Sequence, residues 1–537
     1  MTAQRRLARL RDIYPESVAV ETARRLESCL AAESQSQPRR SWSCDDVWMI
    51  AYADQFRAQG EPPLQTLRAA LDHDFAGVVN GVHILPFFPW SSDDGFSVVD
   101  YEQVDPAYGD WSDVEAIGTQ RPLMVDAVLN HMSTESAWFQ DFLADKASHR
   151  DTFRTEDPET DTSAVVRART HPLLTRFDTA AGPRWVWTTF SADQVDLDYG
   201  CPDVLLRMIE VILGYARRGA TAIRLDAVGF CWKDAATPSI HLPQTHAIVQ
   251  LIAECLDEVH PGTAVITETN VPHEENISYL GGDRREAQAV YQFPLAPLVA
   301  HAVRTGDVGS LVRWADRIDD VVGAGRSFLN FLASHDGIGL RPAEGLLDDE
   351  QIGELVAATR RAGGTTTDRL VAGGGTAPYE LNVTWYELMA AGVDEDTAIA
   401  RHLASHAIML ALPGIAAIYA HSLVGSRNDV VAMSRSGIAR RINRRRFDLA
   451  ELRHRLARSS SIERRVLDGL RTHVEARRSS IAFHPVGACS VDEPVSGVVR
   501  IRREHSGEHA SCIVNLGRHE IEVDDDVLPP LGVVWNV

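Results

Sequence analysis

Short apolar runs rich in β-branched residues alternate along the chain with stretches of helical spacing. Eight such runs are predicted as strands, at residues 47–51, 82–85, 123–129, 222–226, 265–268, 290–293, 328–333 and 415–419. Helical patterns separate most of them, for example at residues 64–72, 204–217 and 245–258. This alternation predicts parallel βαβ units, and eight units predict an α/β fold built on a closed (β/α)8 TIM barrel.

The pattern changes at both ends of the chain and in two long intervals. Residues 4–33 predict a charged helical pair broken near Pro15, and a polar linker follows at 34–40. Two irregular polar segments are too long for simple crossovers, and we expect them to cover the C-terminal face of the barrel. Alternation of apolar and polar residues near the end predicts a small antiparallel β domain. The predicted domains are a helical extension (1–45), a discontinuous catalytic barrel (46–131, 201–336 and 397–477), insertions after the third and seventh strands (132–200 and 337–396) and a C-terminal β domain (478–537).

Acidic residues stand at the C-terminal ends of three predicted strands. Asp226 ends the fourth strand, Glu268 ends the fifth, and Asp336 follows the seventh. Catalytic groups of βα-barrels lie at this end of the strands. Arg224 lies two residues before Asp226 on the same face, and we expect it to keep that carboxylate ionised. An ionised nucleophile and a protonated carboxylic acid are what retaining glycosyl transfer requires.

Sequence motifs around these acids resemble those of a known superfamily. The segments DAVLNH at 126–131, RLD at 224–226, Glu268, and HD at 335–336 resemble the four sequence regions of the α-amylase superfamily of retaining α-glucosidases and transglucosidases. The segments GVHILPFF at 81–88, QVDLD at 194–198 and SHDGIG at 334–339 are similar to the sucrose phosphorylase subfamily. The resemblance extends from about residue 46 to residue 450 and implies no cofactor and no catalytic metal.

The resemblance implies a role for each acid and a pocket for the glucosyl donor. Asp226 is expected to be the nucleophile, Glu268 the general acid/base, and Asp336 the carboxylate that stabilises the transition state. Phe96 and Phe230 are expected to stack on the sugar, and Asp94 is expected to pair with Arg440 around its far hydroxyl group. The complete expected donor pocket contains Asp94, Phe96, His131, Gln194, Arg224, Phe230, His335 and Arg440.

The acceptor side is where the chain departs from sucrose phosphorylases. Arg169, Arg341 and Tyr379 are expected to bind the acceptor or phosphate, and His273 is a weaker candidate. The forked guanidinium of arginine suits a phosphate oxyanion. Glu380 stands where those enzymes have glutamine, and we expect an anionic acceptor. The arginines at 444–446 are interpreted as a solvated surface.

The preferred interpretation is a retaining phosphorylase that transfers glucosyl between a small glucoside and inorganic phosphate, giving α-glucose 1-phosphate by double displacement. Sucrose 6-phosphate is the preferred glucoside, with glucosylglycerate, glucosylglycerol and sucrose as alternatives. A hydrolase or transglucosidase is a second interpretation. An inactive binding or assembly subunit is a third, which the presence of all three acids disfavours.

Composition narrows the partners and the compartment. The formal charge of −22 disfavours nucleic acid and anionic membranes as partners. The seven cysteines are odd in number and include no CxxC pair, so we expect neither a disulfide framework nor a zinc site. The N-terminus has no apolar segment typical of a signal peptide, and no apolar run reaches membrane-spanning length. We therefore expect a cytoplasmic protein.

Overall fold

A computed structural model describes residues 2–33, 41–167, 169–282, 284–370, 375–524 and 526–537. The polar linker predicted at 34–40 lies outside the described residues. The predicted helical pair is confirmed as helices Thr2–Ile13 and Glu16–Ala32. Buried Arg6 in the first helix contacts Glu27 in the second and Glu258 in a barrel helix, which attaches the extension to the barrel.

The predicted barrel is confirmed, because eight parallel strands form one closed sheet in which consecutive strands are neighbours. The strands are β1 (Val47–Ala51), β2 (Gly81–Ile84), β3 (Leu123–Ala127), β4 (Ala222–Leu225), β5 (Ala264–Thr267), β6 (Ala289–Tyr291), β7 (Ser327–Asn330) and β8 (Ile415–Tyr419). All of their residues are buried. Burial on both faces is typical of parallel strands covered by helices and explains their continuous apolar runs.

Helices follow the barrel strands, and others lie in the insertions and after the eighth strand. The remaining α-helices are Pro63–Ala69, Trp111–Gln120, Ala137–Leu143, Pro202–Arg217, Pro243–Val259, His273–Ile277, Leu295–Thr305, Gly309–Ala315, Asp349–Arg361, Trp385–Ala390, Glu395–Ala411, Ala420–Leu423, Val430–Ser436, Leu449–Leu456 and Ile462–Arg478. Asp110 and Asp348 each begin a helix with a reciprocal capping box, which satisfies backbone amides that the first turn leaves unpaired. In the described part of the chain, no helix combines the length and hydropathy needed to cross a bilayer.

Both predicted insertions contain small antiparallel sheets. In the first, Leu174–Thr179 pairs with Gly182–Trp187, and His131–Ser133 pairs with Gln194–Asp196. In the second, Thr365–Leu370 pairs with Thr376–Asn382, which also pairs with Ile338–Gly339 just beyond Asp336. The second sheet therefore begins directly beside the predicted third carboxylate.

The C-terminal β domain is confirmed as an antiparallel sheet of four strands. They are β9 (Ala488–Asp492), β10 (Val498–His505), β11 (Glu508–Asn515) and β12 (Val533–Asn536), joined in that order. The domain limits drawn from the sequence stay a prediction.

Candidate active site

A cavity of about 420 Å³ opens among the loops that follow the barrel strands and the two insertions. Its wall contains nearly all the predicted site residues: Phe96, His131, Arg169, Gln194, Asp226, Phe230, Glu268, His335, Asp336, Arg341, Tyr379 and Arg440. Asp94 and Arg224 do not line it. Both are buried behind the wall, where they contact other charged residues of the site.

The backbone after β4 connects two of the predicted catalytic acids. Asp226 follows the strand directly, and Ala227 adopts a left-handed conformation with φ of 50°. The Ala227 amide donates a hydrogen bond of 2.9 Å to Glu268 Oε2 at the end of β5. A non-glycine residue in this region is strained, and here the strain accompanies the alignment of the Glu268 carboxyl group beside Asp226.

Arg224 contacts three carboxylates, whereas the sequence indicated one. Its guanidinium contacts Asp126, lies 2.7 Å from Asp226 Oδ1 and lies 3.8 Å from Glu268 Oε2. Burial raises the pKa of Asp226 well above its usual value. The neighbouring carboxylates raise it further, and Arg224 opposes the shift. Arg224 acts on Asp226 in the expected direction, but it does not outweigh burial and the neighbouring carboxylates, because one cation is divided among three acids.

Glu268, like Asp226, has a pKa above its usual value. Burial raises the pKa of Glu268, with Arg224 opposing the shift and Asp336 adding to it. Because the Arg224 guanidinium is closer to Asp226 than to Glu268, it favours negative charge on Asp226 and the proton on Glu268. The two carboxyl groups then differ in charge as a nucleophile and a general acid must.

Asp336 has the opposite electrostatic environment. Burial alone would raise its pKa, but Arg440, His335 and Arg444 outweigh burial and hold the pKa of Asp336 well below its usual range. Arg440 Nη1 lies 2.7 Å from Asp336 Oδ1. Burial lowers the pKa of His335 to about 3 against the attraction of Asp336, so His335 is neutral and Asp336 is ionised at neutral pH.

The predicted pairing of Asp94 with Arg440 is wrong. Arg440 instead makes two hydrogen bonds to Glu380, at 2.6 and 3.2 Å, in addition to its contact with Asp336. Glu380 comes from the second strand of the insertion hairpin, which places a buried carboxylate beside Arg440. Sequence spacing did not reveal this, because the hairpin folds back over the cavity.

Asp94 pairs with two other arginines of the same segment. Arg441 Nη2 and Arg444 Nη1 each lie 2.7 Å from its carboxylate oxygens. Arg444 is only 2% exposed and also donates from Nε to the His335 carbonyl at 2.9 Å. The interpretation of 444–446 as a solvated surface is therefore wrong for Arg444, while Arg446 forms an ion pair with buried Asp54.

Histidine and aromatic side chains form the remaining donor wall. His131 Nε2 lies 2.9 Å from the Phe96 carbonyl and 3.2 Å from Gln194 Nε2. Phe96 stacks on His335 with 4.6 Å between ring centroids and 6° between planes, so one of its faces is already covered. Phe230 packs edge-on against Phe190 at 5.5 Å. The structure thus brings the predicted donor residues together around Asp226.

Arginines gather on the wall formed by the insertions. The guanidinium of Arg169 lies 5.9 Å from the ring centroid of Phe190 and 5.8 Å from that of Tyr379. Arg341 lies 3.7 Å from Glu275, and Arg369 contacts Glu344. Arg167 also lines the cavity. The first insertion contributes Arg167 and Arg169, and the second contributes Arg341 and Arg369, so both insertions bring positive charge to one cavity.

Tyr379 connects these arginines to the segment that follows Glu268. Its hydroxyl accepts a hydrogen bond of 3.2 Å from Asn270 Nδ2, two residues after Glu268. Burial raises the pKa of Tyr379 to about 12, although Arg169 opposes the shift, so the hydroxyl group stays protonated. The weaker candidate His273 does not line the cavity, and its ring lies against Trp314 and Phe328.

Sequence reasoning missed several residues of the wall. They are Asp93, Arg167, Phe190, Asn270 and Arg369. Asp93 is next to Asp94, and Asn270 is two residues after Glu268. Their nearness in sequence to these predicted site residues could have indicated them. Arg369 and Phe190 lie in the insertions. No alternating pattern in the sequence of the insertion hairpins indicates which side chains face the barrel, so no sequence signal distinguishes these two residues. Among the described residues, no group of three or more His, Cys, Asp or Glu side chains could hold a metal ion.

Comparison with known proteins gives consistent results. The α-amylase catalytic domain matches residues 77–337. The chain is 45% identical to the glucosylglycerate phosphorylase of Allomeiothermus silvanus, over 94% of this chain and 91% of the other. It is 42% identical to the glucosylglycerate phosphorylase of Escherichia coli K12, over 92% and 88%. The crystal structure of sucrose 6F-phosphate phosphorylase from Thermoanaerobacter thermosaccharolyticum superposes with a TM-score of 0.75 at 24% identity, covering 88% of this chain and 94% of the other.

Proposed function

This chain belongs to the α-amylase family, among its glucoside phosphorylases, and we propose that it phosphorolyses glucosylglycerate with retention of configuration. The products are α-glucose 1-phosphate and glycerate. The comparisons favour this alternative over sucrose 6-phosphate, because the glucosylglycerate phosphorylases are 45% and 42% identical. The sucrose 6F-phosphate phosphorylase is 24% identical and supports the fold alone.

In the first half-reaction, the Asp226 carboxylate attacks the anomeric carbon of the bound glucosyl group. Glu268 donates its proton to the departing glycosidic oxygen, so glycerate leaves as the alcohol and a glucosyl ester forms on Asp226. Asp336 stays ionised because of Arg440 and stabilises the positive charge that develops on the sugar ring. This half-reaction requires Asp226 to be ionised and Glu268 to be protonated when it begins.

In the second half-reaction, a phosphate oxygen attacks the glucosyl ester from the side that glycerate has left. Glu268 takes a proton from the incoming phosphate as the bond to Asp226 breaks, which restores both carboxyl groups. Two inversions give retention. Water competes for the same ester, so phosphorolysis requires that phosphate be bound beside the ester.

The arginine wall is the observation that carries the proposal. Arg167, Arg169, Arg341 and Arg369, all from the two insertions, line the same cavity as Asp226, Glu268 and Asp336, which lie at the ends of the barrel strands. An acceptor with its own carboxylate and an inorganic phosphate are both anions, and a charge-assisted hydrogen bond to arginine contributes about 1.5–3 kcal/mol. The same wall therefore serves glycerate and phosphate in turn.

The donor pocket is proposed to comprise Phe96, His131, Gln194, Phe230 and His335, with Arg224 and Asp94 supporting it from behind. Arg440 is proposed to act through Asp336, and Tyr379 to complete the acceptor wall. The test is incubation with glucosylglycerate with and without phosphate, measuring glucose 1-phosphate and glucose. Release of glucose at equal rates in both mixtures would instead support hydrolysis.

A cytoplasmic location is proposed as well. All seven cysteines are free of disulfide bonds, as is usual in a reducing compartment.

A further inference from the structure

Lys233 is a buried lysine in a chain whose basic residues are otherwise almost all arginine. The sequence has only two lysines, Lys146 and Lys233. The Lys146 side chain is exposed and pairs with Asp141, whereas the Lys233 side chain is 2% exposed. A charged group is retained in such a place only with compensating partners, and the partners of Lys233 lead to the active-site cavity.

The Lys233 ammonium lies between two oxygen ligands from different segments. It donates to Asn130 Oδ1 at 2.5 Å, and it lies 3.2 Å from Asp196 Oδ2. Asn130 follows β3, Asp196 ends a strand of the first insertion, and Lys233 follows β4 and Asp226. Asp196 also accepts hydrogen bonds from the amide and hydroxyl groups of Thr189. The cluster therefore joins the loop after the predicted nucleophile to the insertion.

Contacts of Asn130 carry the effect of Lys233 to His131. An ammonium group has only donors, so the amide oxygen of Asn130 must face Lys233. The amide nitrogen then faces His131 Nδ1, 3.2 Å away, and donates to it. With Nδ1 accepting, the single ring proton is on Nε2, which lies 2.9 Å from the Phe96 carbonyl.

We infer that Lys233 is a positioning residue, which orients the Asn130 amide and thereby fixes the tautomer of His131 on the cavity wall. Neither Lys233 nor Asn130 lines the cavity. His131 does, and a neutral imidazole with its proton on Nε2 donates to the Phe96 carbonyl, which holds the ring in one orientation on the wall where the glucosyl group is proposed to bind. The inference rests on the proposed function only for that last step.

Charged groups on three segments face His131. They are Asp196 on the insertion strand, Lys233 after β4, and Asp93 after β2. Burial lowers the pKa of His131, Asp196 and Asp93 oppose the shift, and Lys233 adds to it. Loss of the lysine charge and loss of the Asp196 charge should therefore move the pKa of His131 in opposite directions.

The test uses Lys233→Met and Asp196→Asn, with Lys146→Met as the control for loss of a lysine. Histidine labelled with ¹⁵N gives ring shifts that report the tautomer and the titration, and the His131 signals are identified by their loss in His131→Gln. We expect the unsubstituted protein and Lys146→Met to show the proton on Nε2. Lys233→Met should show a mixture of tautomers with a raised pKa, and Asp196→Asn a lowered pKa.

Turnover provides a second measurement. Lys233→Met should lower kcat/KM for the glucosyl donor about tenfold to a hundredfold, since small misplacements of a substrate-positioning group have effects of that size. Unchanged His131 signals in Lys233→Met, or shifts in the same direction in both variants, would overturn the inference. If neither variant folds, Lys233 is a folding element and the positioning role is likewise overturned. If the proposed function is wrong, the unsubstituted protein will not phosphorolyse glucosylglycerate. That result would leave the ¹⁵N measurement unaffected.

Discussion

Arg440 Nη1 lies 2.7 Å from Asp336 Oδ1, and the same guanidinium makes two hydrogen bonds to Glu380. Arg440, in the short 3-10 helix Ala439–Asn443, is thus held between an acid of the second insertion and an acid of the barrel. Arg440 is the main group that opposes the effect of burial on the pKa of Asp336. Because Glu380 of the second insertion binds Arg440, the folding of that insertion influences the charge of Asp336.

Arg440→Gln should lower kcat/KM by about a hundredfold. Asp336 loses its principal cation, so its pKa rises and its carboxylate is no longer held in place to stabilise the transition state. Glu380 would be left as a buried unpaired carboxylate, which typically costs about 3–5 kcal/mol of folding stability. Kinetics and thermal unfolding measure the two effects.

Arg441→Gln is the matched control, because its partner Asp94 keeps Arg444. Arg441→Gln should lower kcat/KM and thermal stability much less than Arg440→Gln does. Equal losses in the two variants would show that Arg440 has no special relationship with Asp336.

Asp226→Asn should abolish turnover and yet raise thermal stability. An amide cannot form the glucosyl ester, and loss of a covalent nucleophile reduces the rate by several powers of ten, each about 1.4 kcal/mol of barrier. The pKa of Asp226 is raised by burial, so its ionisation destabilises the folded state as pH rises above the ordinary carboxyl pKa.

The gain in melting temperature for Asp226→Asn should therefore be present at pH 7 and vanish near pH 3, where the carboxyl group is protonated in folded and unfolded chains alike. Near-normal activity in a verified preparation would contradict the assignment of the nucleophile.

Glu268→Gln should slow transfer from glucosylglycerate far more than transfer from α-glucosyl fluoride. Fluoride departs with little protonation, whereas an alkoxide requires the Glu268 proton. Burial raises the pKa of Glu268, so the alkaline limb of kcat/KM should lie above the ordinary glutamate value of about 4.3 and disappear in the variant. Equal slowing on both donors would assign Glu268 another role.

Arg169→Gln and Arg369→Gln should each reduce the preference for glycerate over glycerol in synthesis from α-glucose 1-phosphate. The unsubstituted enzyme should prefer glycerate by about tenfold to a hundredfold, as expected for one charge-assisted contact. Arg176→Gln is the control, because Arg176 lies on the exposed hairpin of the first insertion and pairs with Asp178. A preference that survives in both wall variants would exclude these arginines from carboxylate recognition.

The sequence predicted the barrel and the positions of the strand-end acids because both depend on local patterns. Apolar runs located all eight strands, and Asp226 and Glu268 come one residue after strands whose ends face the cavity. Contacts between distant segments were predicted less well. Arg440 pairs with Glu380 instead of Asp94, and buried Arg444 takes part in the pairing with Asp94, because a hairpin of the second insertion folds over the site.

Burial was the other quantity that sequence patterns could not supply. Arg224 was correctly placed beside Asp226, but Asp126 and Glu268 share its charge. Lys233 gave no sequence signal, since nothing in the local pattern marks a lysine as enclosed.

Phosphate dependence and acceptor choice are measured most directly in one experiment. The purified protein is incubated with glucosylglycerate, sucrose 6-phosphate, glucosylglycerol and sucrose, each with and without inorganic phosphate, while α-glucose 1-phosphate and glucose are quantified. We predict that α-glucose 1-phosphate forms only with phosphate and that kcat/KM is highest for glucosylglycerate by at least about tenfold, the effect of one charge-assisted contact. Glucose released equally with and without phosphate, or a higher kcat/KM for any of the other three glucosides, would contradict the proposed function.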